Sequence, residues 1–155
     1  MTTSTIRPVA RAIIVGADGR VLTIEVDDGA GRWWILPGGK QEFGETAAEA
    51  VNRECKEELR CEVEVGACVM VREFIGPRRS QVVGKVGEMH SLELYFRCTL
   101  KGTPDLKPSE KFHRQIAWTP ATELVNLKFF PKVLASQLPT LLTQAGNTAY
   151  VGDAD

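Results

Sequence analysis

The feature that most constrains this chain is a group of closely spaced carboxylates in a segment with a helical pattern. Glu54, Glu57 and Glu58 stand at positions i, i+3 and i+4. At about 100° per residue, their side chains fall within an arc of about 100° on one helix face. Like charges at this spacing destabilise a helix by about 0.2–0.5 kcal/mol per pair. A divalent cation over this face would remove the repulsion, because Mg²⁺ and similar ions prefer oxygen ligands.

The same segment carries the signals of a helix that is anchored by one face. Thr46 is followed three residues later by Glu49, which is the pattern of a capping box at a helix N-terminus. An apolar face, which we expect to pack on a sheet, is formed by Ala48, Val51, Cys55 and Leu59. The carboxylate face lies about 100° round from it. The carboxylates are therefore expected at the rim between the core and water.

A solvated acidic face is the simpler interpretation of an isolated Glu-x-x-Glu-Glu, but the neighbouring sequence argues against it. Leu36-Pro37-Gly38-Gly39 precedes the helix, and glycines permit unusual backbone angles and the close approach of a ligand. From Gly39, five residues lead to Glu45, and seven more lead to Arg53-Glu54-Cys55-Lys56-Glu57-Glu58. This spacing resembles the Nudix box of the Nudix (MutT-like) hydrolases.

The end of the segment departs from that box. Arg60 stands where the box has a glycine, and Cys61 stands where it has an aliphatic residue. A glycine just past a helix usually takes a left-handed conformation, which costs another residue about 1–2 kcal/mol. Arg60 therefore either adopts that conformation or lets the helix end differently. Neither change removes a carboxylate, and Cys55 and Cys61 can serve as small apolar residues.

The order of patterns along the chain is strands, one central helix, further strands and a closing helix. Asp18-Gly19 indicates a hairpin turn between the first two strands. The closing helix is predicted at residues 129–142, with Pro139 kinking or splitting it. This order predicts an α+β fold. The resemblance implies the Nudix fold, a mixed β-sheet sandwiched between α-helices.

Composition predicts one domain over residues 1–155, with flexible tails at residues 1–8 and about 146–155. The net charge is −1, so there is no global electrostatic case for nucleic-acid or membrane binding. None of the four cysteines forms a Cys-x-x-Cys pair, which argues against a zinc site. No segment resembles a signal peptide or a membrane span. We expect a reduced, cytoplasmic protein, and the resemblance leaves a homodimer open.

The resemblance implies a metal-dependent pyrophosphohydrolase acting on a nucleoside diphosphate linked to another group, X. Glu54, Glu57 and Glu58 would be catalytic and would bind Mg²⁺ or Mn²⁺. The carbonyl of Gly39, with Gly38 as support, would supply a further ligand. The candidates for this small-molecule nucleotide substrate are ADP-ribose, a nucleoside triphosphate, a dinucleoside polyphosphate and a nucleotide sugar.

Two residues are expected to support the site without doing chemistry. Arg53 flanks the acidic face and stands four residues from both Glu49 and Glu57. The resemblance further implies that Arg53 pairs with Glu45 and ties the loop to the helix. A purely structural role for this pair agrees with that expectation.

The general base is left open between a box glutamate and a glutamate from a later loop. Glu110 is the loop candidate, because related enzymes often place such a residue shortly before a strand, and an exposed loop carboxylate is the alternative. Glu93 could point at the site from within a strand. His113 and His90 have side chains suited to acid–base work, although a lone histidine is more often a surface or structural residue.

Substrate contacts are predicted from side chains outside the box. Trp33, Trp34 and Phe74 could stack on a base, although aromatic residues in strands usually belong to the core. Arg78 and Arg79 lie in residues 76–89, which we expect to be a mobile loop, and could meet phosphates there. A solvated arginine pair is the alternative.

Three functions compete at this point. The first is the metal-dependent Nudix pyrophosphohydrolase. The second is a non-catalytic Nudix-like nucleotide-binding regulatory module, which predicts loss of box carboxylates, and none is lost here. The third is an unrelated α+β binding domain with an acidic helix, which would leave the Pro-Gly-Gly loop and the box spacing as coincidences.

Overall fold

The computed structural model describes residues 4–82, 84–143 and 146–155. Its strands are β1 Ile6–Ile14, β2 Arg20–Asp27, β3 Arg32–Ile35, β4 Gly38–Lys40, β5 Val63–Ile75, β6 His90–Leu100, β7 His113–Pro120 and β8 Ala149–Asp153. Its α-helices are α1 Ala47–Leu59 and α2 Lys132–Thr143. Short 3-10 helices occupy Gly76–Arg78, Gly84–Glu88 and Ala121–Asn126.

The strands form two sheets. The larger is a five-stranded mixed sheet in the order β4-β1-β6-β5-β8, in which β1 pairs parallel with β6 and β5 pairs parallel with β8. The smaller is a three-stranded antiparallel sheet in the order β3-β2-β7. The hairpin turn predicted at Asp18-Gly19 is present between β1 and β2, with Gly19 at a φ of 80°.

Two apolar cores cover the two faces of the larger sheet. One core joins the apolar face of α1 to both sheets, through residues such as Ala12, Leu22 and Val51. The other joins the opposite face of the larger sheet to α2, through residues such as Ile13 and Leu138. The predicted α+β fold, with a mixed sheet between helices, is thus confirmed.

The start of α1 follows the predicted capping box. Thr46 accepts a hydrogen bond from the backbone N–H of Glu49, and the Glu49 carboxylate accepts one from the backbone N–H of Thr46. At the other end, Arg60 adopts the left-handed conformation, with a φ of 49°. The buried face differs slightly from the prediction, because Ala50 is buried where Ala48 is only partly covered.

The expected tails differ from the structure at both ends. Residues 1–3 lie outside the described residues, but β1 already begins at Ile6 and pairs with β6. At the other end, Ala149–Asp153 forms an edge strand along β5, and the Arg72 guanidinium donates a hydrogen bond to the Ala154 carbonyl. The sequence did not reveal β8 because this short strand depends on a partner that is distant along the chain.

Two other expectations concern the second half of the chain. Residues 76–89 connect β5 to β6 and, apart from residue 83, which lies outside the described residues, include two short 3-10 helices; their mobility stays a prediction. Pro139 lies inside α2 without ending it. A proline within a helix costs about 3 kcal/mol. The burial of Leu134, Leu138 and Leu141 on one face of α2 offsets that cost through tertiary packing.

In the described parts of the chain, no helix is long and apolar enough to cross a bilayer.

Candidate active site

The carboxylates of α1 meet the two glycines of β4. The backbone N–H of Gly38 donates a 2.9 Å hydrogen bond to Oε2 of Glu58. A Cβ atom added at Gly39 would lie only 2.5 Å from Oε1 of Glu54. The absence of a side chain at residue 39 therefore leaves open the space beside the Glu54 carboxylate.

The three carboxylates lie at very different depths. The exposed fraction of the side chain is 49% for Glu57, 16% for Glu54 and 4% for Glu58. The expectation that all three lie at the rim is thus wrong for Glu58. Its burial is tolerated because the Gly38 N–H satisfies one carboxylate oxygen, and a buried polar group without such a partner is costly.

Burial changes the proton affinity of two of these groups. It raises the pKa of Glu58 to about 8, against the opposing effects of the Gly38 N–H and the Arg11 guanidinium. Burial also raises the pKa of Glu54, and Arg53 opposes that shift. Both directions follow from the low polarity around the charged form. A divalent cation at the site would favour the ionised carboxylates and reverse both shifts.

Arg53 links the acidic loop to the helix, as predicted. Its Nε and Nη2 atoms donate to the two carboxylate oxygens of Glu45, at 3.1 and 2.7 Å. Its Nη1 atom donates to Glu54 at 3.1 Å and to Glu57 at 3.5 Å. Glu49, which the spacing also placed near Arg53, is used in the capping box. Arg53 therefore offsets the repulsion between carboxylates that lie close together.

Arg11 of β1 is a site residue that the sequence reasoning missed. Its Nη1 atom donates to the carbonyls of Leu36 (3.1 Å) and Gly38 (2.8 Å). Arg11 therefore fixes the turn that leads into β4, while Glu58 holds the same turn through the Gly38 N–H. The available signal was an arginine inside an otherwise apolar stretch of β1, Val9-Ala10-Arg11-Ala12-Ile13-Ile14.

The chain before β7 brings two further residues to this site. His113 begins β7, and its Nε2 atom lies 3.8 Å from Oε1 of Glu58. Glu110 is exposed, and its charge raises the pKa values of both Glu58 and His113. Burial has the larger effect on His113 and lowers the pKa of its imidazole. The side chain of His113 is only 10% exposed, so the expectation of a surface residue does not fit, and the choice between a structural and a functional role stays a prediction.

The family follows from the sequence match. The model of the NUDIX domain matches residues 5–141. The chain belongs to the Nudix family. It is a Nudix-type hydrolase by this membership, and its box carboxylates are intact. No curated protein matches the sequence at a significant level.

Solved structures share the Nudix fold of this chain. The ORF135 protein of E. coli has 22% identity and a TM-score of 0.72, covering 95% of this chain and 99% of that one. An ADP-ribose pyrophosphatase from Streptococcus suis has 22% identity and a TM-score of 0.66, and the match covers 96% of this chain and 100% of that one. A UDP-X diphosphatase has 20% identity and a TM-score of 0.68, and the match covers 97% of this chain and 68% of that one.

The donor set of this Nudix site fits a divalent cation. The carboxylates of Glu54 and Glu58 lie against a backbone turn without side chains, and oxygen donors of this kind suit Mg²⁺ and Mn²⁺. Within the described residues, no three His, Cys, Asp or Glu side chains are placed so that together they could already hold a metal ion. Arg53 donates hydrogen bonds to Glu54 and Glu57 in this arrangement.

Glu93 belongs to a different network in this Nudix domain. Its carboxylate accepts hydrogen bonds from Arg72 (2.8 Å), Ser91 (2.9 Å) and Tyr95 (2.6 Å). Burial opposes the charge of Glu93, but Arg72 outweighs it and holds the pKa of the carboxyl below its usual value. A carboxylate with three donors and a lowered pKa is a poor general base, so these contacts favour Glu110 over Glu93.

The predicted substrate contacts have structural partners of their own. The guanidinium of Arg79 lies 5.0 Å from the ring centre of Phe74 and donates to Asp153 at 2.7 Å. Arg78 is exposed and lies 3.7 Å from the same carboxylate. Trp34 packs against the core that contains α2. These contacts agree with the structural alternatives, and the substrate roles stay predictions.

His90 also has a structural partner. Its Nε2 atom lies 3.3 Å from Oε1 of Glu73, which is on the neighbouring strand β5. The structural alternative stated for His90 therefore fits the observed contact.

Proposed function

We propose that this protein is a metal-dependent pyrophosphohydrolase that cleaves the diphosphate linkage in a nucleoside diphosphate joined to a group X. The observation that carries the proposal is the meeting of the α1 carboxylates with the Gly38-Gly39 turn. Glu54, Glu57 and Glu58 would hold Mg²⁺ or Mn²⁺, with the carbonyl of Gly39 as a further donor. The bound cation would supply charge neutralisation at the phosphate oxygens and would activate water.

The chain's own residues would prepare the site for hydrolysis. Arg53 and Glu45 hold α1 against the loop, and Arg11 fixes the turn that presents Gly38. Glu110 would accept a proton from water as the water oxygen bonds to one phosphorus. The bridging P–O bond then breaks, and the products are a phosphorylated nucleoside and a phosphorylated X. Most of the rate enhancement for such a step comes from positioning and electrostatic stabilisation.

The structural neighbours support a substrate with a diphosphate between two groups. One is named an ADP-ribose pyrophosphatase and another a UDP-X diphosphatase. ADP-ribose and a nucleotide sugar are therefore the first candidates to assay, followed by nucleoside triphosphates and dinucleoside polyphosphates. The four free thiols support the proposal that the enzyme works in the reducing cytoplasm.

A substrate panel tests the proposed reaction. The four substrate classes are incubated with Mg²⁺, with Mn²⁺ and with EDTA, and the products are separated by chromatography. We expect one class to be cleaved to two phosphorylated products, with EDTA abolishing the reaction. The Glu57→Gln variant should lose most of its rate and keep its fold, since it loses a charge with little change of shape.

Glu62→Gln is the matched control for Glu57→Gln. Glu62 is half exposed just beyond α1 and pairs with Lys56 at 2.8 Å, so its loss should leave the rate unchanged. Full activity of both Glu57→Gln and Glu58→Gln would contradict the metal-binding argument. Nucleotide binding without turnover of any substrate, and without metal binding, would favour the regulatory module.

A further inference from the structure

We propose that residues 153–155, which we call the acidic segment, occupy a binding site for a phosphate-bearing ligand and leave it when that ligand binds. The segment begins with the last residue of β8 and carries two aspartates. Its site is built on β5, three strands away from β4 in the larger sheet. It is therefore separate from the α1 carboxylates, and it does not depend on the function proposed for them.

The Asp153 carboxylate is held as a phosphate group would be. Its Oδ1 atom accepts hydrogen bonds from Nη1 of Arg79, at 2.7 Å, and from the backbone N–H of Ile75, at 3.2 Å. Its Oδ2 atom lies 3.7 Å from Nη1 of Arg78. Arginine is the preferred partner of phosphate oxygens as well as of carboxylates. Two arginines and a backbone N–H around one carboxylate therefore form an anion site, which the chain fills with its own side chain.

Arg72 is a buried cation that the same segment covers. Its side chain is only 6% exposed, and its Nη1 atom donates to the Ala154 carbonyl at 2.7 Å. The guanidinium groups of Arg72 and Arg79 lie 5.7 and 5.0 Å from the centre of the Phe74 ring, so both border one site. A carbonyl has no net charge, and a phosphate oxygen is the stronger acceptor for a guanidinium. A ligand that replaced Ala154 would thus improve the contact of Arg72.

The charges around the acidic segment favour exchange with an anion. Oδ2 of Asp155 lies 3.7 Å from Nζ of Lys132. The two aspartates of the segment therefore face three cations, which are Arg78, Arg79 and Lys132. Arg78 and Lys132 are largely exposed, and exposed ion pairs contribute little to stability. The segment is held weakly, and its departure would leave three cations to attract an anionic ligand.

The backbone allows the segment to leave while β8 stays in place. Among the described strands, β8 lies at the edge of the larger sheet and pairs with β5. The register of that pairing shifts just before Gly152, which has a φ of 66°. Upstream of this point, Ala149 and Val151 pack against the core that contains α2. Gly152 can therefore act as the hinge.

Nuclear magnetic resonance of the full-length wild type tests the displacement directly. The probe is inorganic pyrophosphate, and EDTA is present so that no metal links it to the α1 carboxylates. We expect the ¹⁵N heteronuclear NOE of residues 153–155 to fall on addition of the probe, because a released segment moves on the picosecond to nanosecond timescale. Sodium chloride at equal ionic strength is the control for simple screening and should leave the NOE unchanged.

ADP is titrated beside pyrophosphate to identify the source of the phosphate group. Tighter binding of ADP would assign the site to a nucleotide, and equal binding would assign it to a free diphosphate. Either result upholds the displacement, provided that the NOE of residues 153–155 falls.

Asp153→Asn gives an independent readout by calorimetric titration in EDTA. A segment that fills the site nine-tenths of the time lowers the apparent affinity about tenfold, so this variant should bind pyrophosphate about tenfold more tightly. Adding Arg79→Gln should remove the gain. Asp27→Asn is the matched control and should leave the affinity unchanged, because Asp27 also lies beside two arginines, Arg32 and Arg114, and is 21% exposed against 18% for Asp153.

Three results would overturn the proposal. Pyrophosphate binding with an unchanged NOE at residues 153–155 would place the anion elsewhere. Absence of binding by both the wild type and Asp153→Asn would remove the site. A lower melting temperature of Asp153→Asn without any gain in affinity would make the segment a purely structural edge. If Asp153→Asn does not fold, as circular dichroism would show, the wild-type NOE still decides. Because all of these measurements are made in EDTA, none of them bears on metal-dependent hydrolysis.

Discussion

At the residue scale, Glu58 combines deep burial with the metal-binding role proposed for it, which needs its charge. Its side chain is 4% exposed, and burial raises its pKa to about 8. The unfolded chain would hold the same carboxyl at its ordinary pKa, near 4.5. Between these two values the folded state keeps a proton that the unfolded state has lost. The contribution of Glu58 to stability therefore falls as the pH rises through this window.

Replacing Glu58 with glutamine should stabilise the metal-free protein at high pH. The uncharged amide avoids the cost of a buried charge, so at pH 8.5 we expect a gain of roughly 1–3 kcal/mol in the free energy of unfolding. At pH 4.5 the two proteins should be nearly equal, because both side chains are then neutral. Urea unfolding in EDTA at the two pH values measures this difference. A gain of the same size at both would show that ionisation is not the cause.

The two glycines of β4 should respond differently to alanine. Gly38 has a φ of 131°, and a Cβ there would lie 2.2 Å from the Ala10 carbonyl oxygen. Gly38→Ala should therefore destabilise the fold by about 2 kcal/mol or more. The Cβ of Gly39→Ala would meet the end of the Glu54 side chain, which can move. This variant should stay folded but bind Mn²⁺ more weakly.

Thermal unfolding and Mn²⁺ titration of the two alanine variants test this contrast. A stable Gly38→Ala protein would refute the argument from steric overlap with β1. Unchanged metal affinity in Gly39→Ala would show that the space beside Glu54 is not used by the cation.

At the element scale, the C-terminal end of α1 organises the segment that carries Glu110. The Arg60 guanidinium donates to Asp105 at 2.7 Å and to the Lys107 carbonyl at 2.5 Å. Ser109 donates to the Glu57 carbonyl at 3.2 Å. The residue that departs from the Nudix box therefore ties the loop before β7 to the end of α1.

Arg60→Gly should separate loop positioning from stability. Glycine removes the cost of about 1–2 kcal/mol for a left-handed arginine. The lost exposed ion pair with Asp105 is worth about 0–1 kcal/mol. We therefore expect the free energy of unfolding to change by no more than about 1 kcal/mol, while amide exchange in residues 104–110 rises and the hydrolysis rate falls. Faster amide exchange in residues 104–110 without any loss of hydrolysis rate would remove Arg60 from the positioning of Glu110.

Arg60→Asn is the control for this experiment. Asparagine tolerates the left-handed conformation but cannot form the forked contacts of arginine. It should reproduce the faster exchange of residues 104–110. Agreement between the two variants would assign the effect to the lost contacts and not to the backbone freedom of glycine.

At the scale of the whole molecule, the site joins parts of the chain that are far apart in sequence. Glu58 contacts Gly38 of β4 and faces His113 of β7, so α1, the larger sheet and the smaller sheet all meet there. A cation bound between such elements stabilises the folded state only, because the unfolded chain does not hold its ligands together.

Metal should therefore raise the melting temperature of the whole protein. Mn²⁺ at 100 times its dissociation constant adds about 2.7 kcal/mol, which corresponds to roughly 5–10 °C for a chain of this size. Differential scanning calorimetry with Mn²⁺ and with EDTA measures the shift, and Glu54→Gln/Glu57→Gln serves as the control with a damaged site. An equal shift in that variant would place the stabilising ion elsewhere.

The sequence by itself determined the features that depend on neighbours along the chain. The spacing of Glu54, Glu57 and Glu58 places them on one helix face, and Thr46 with Glu49 fixes where that helix begins. The family assignment and the Glu45–Arg53 pair follow from the same segment. Helical periodicity and capping are local, so they are visible without the fold.

Only the tertiary structure decided how deep each group lies and what reaches it from elsewhere. The burial of Glu58, the contact of Arg11 with Gly38 and the approach of His113 all join residues on different elements. Strand β8 likewise exists through its pairing with β5. A periodic pattern indicates which face of an element is buried. Burial depth and long-range partners depend instead on how the two sheets close around α1, which the pattern of any one segment does not encode.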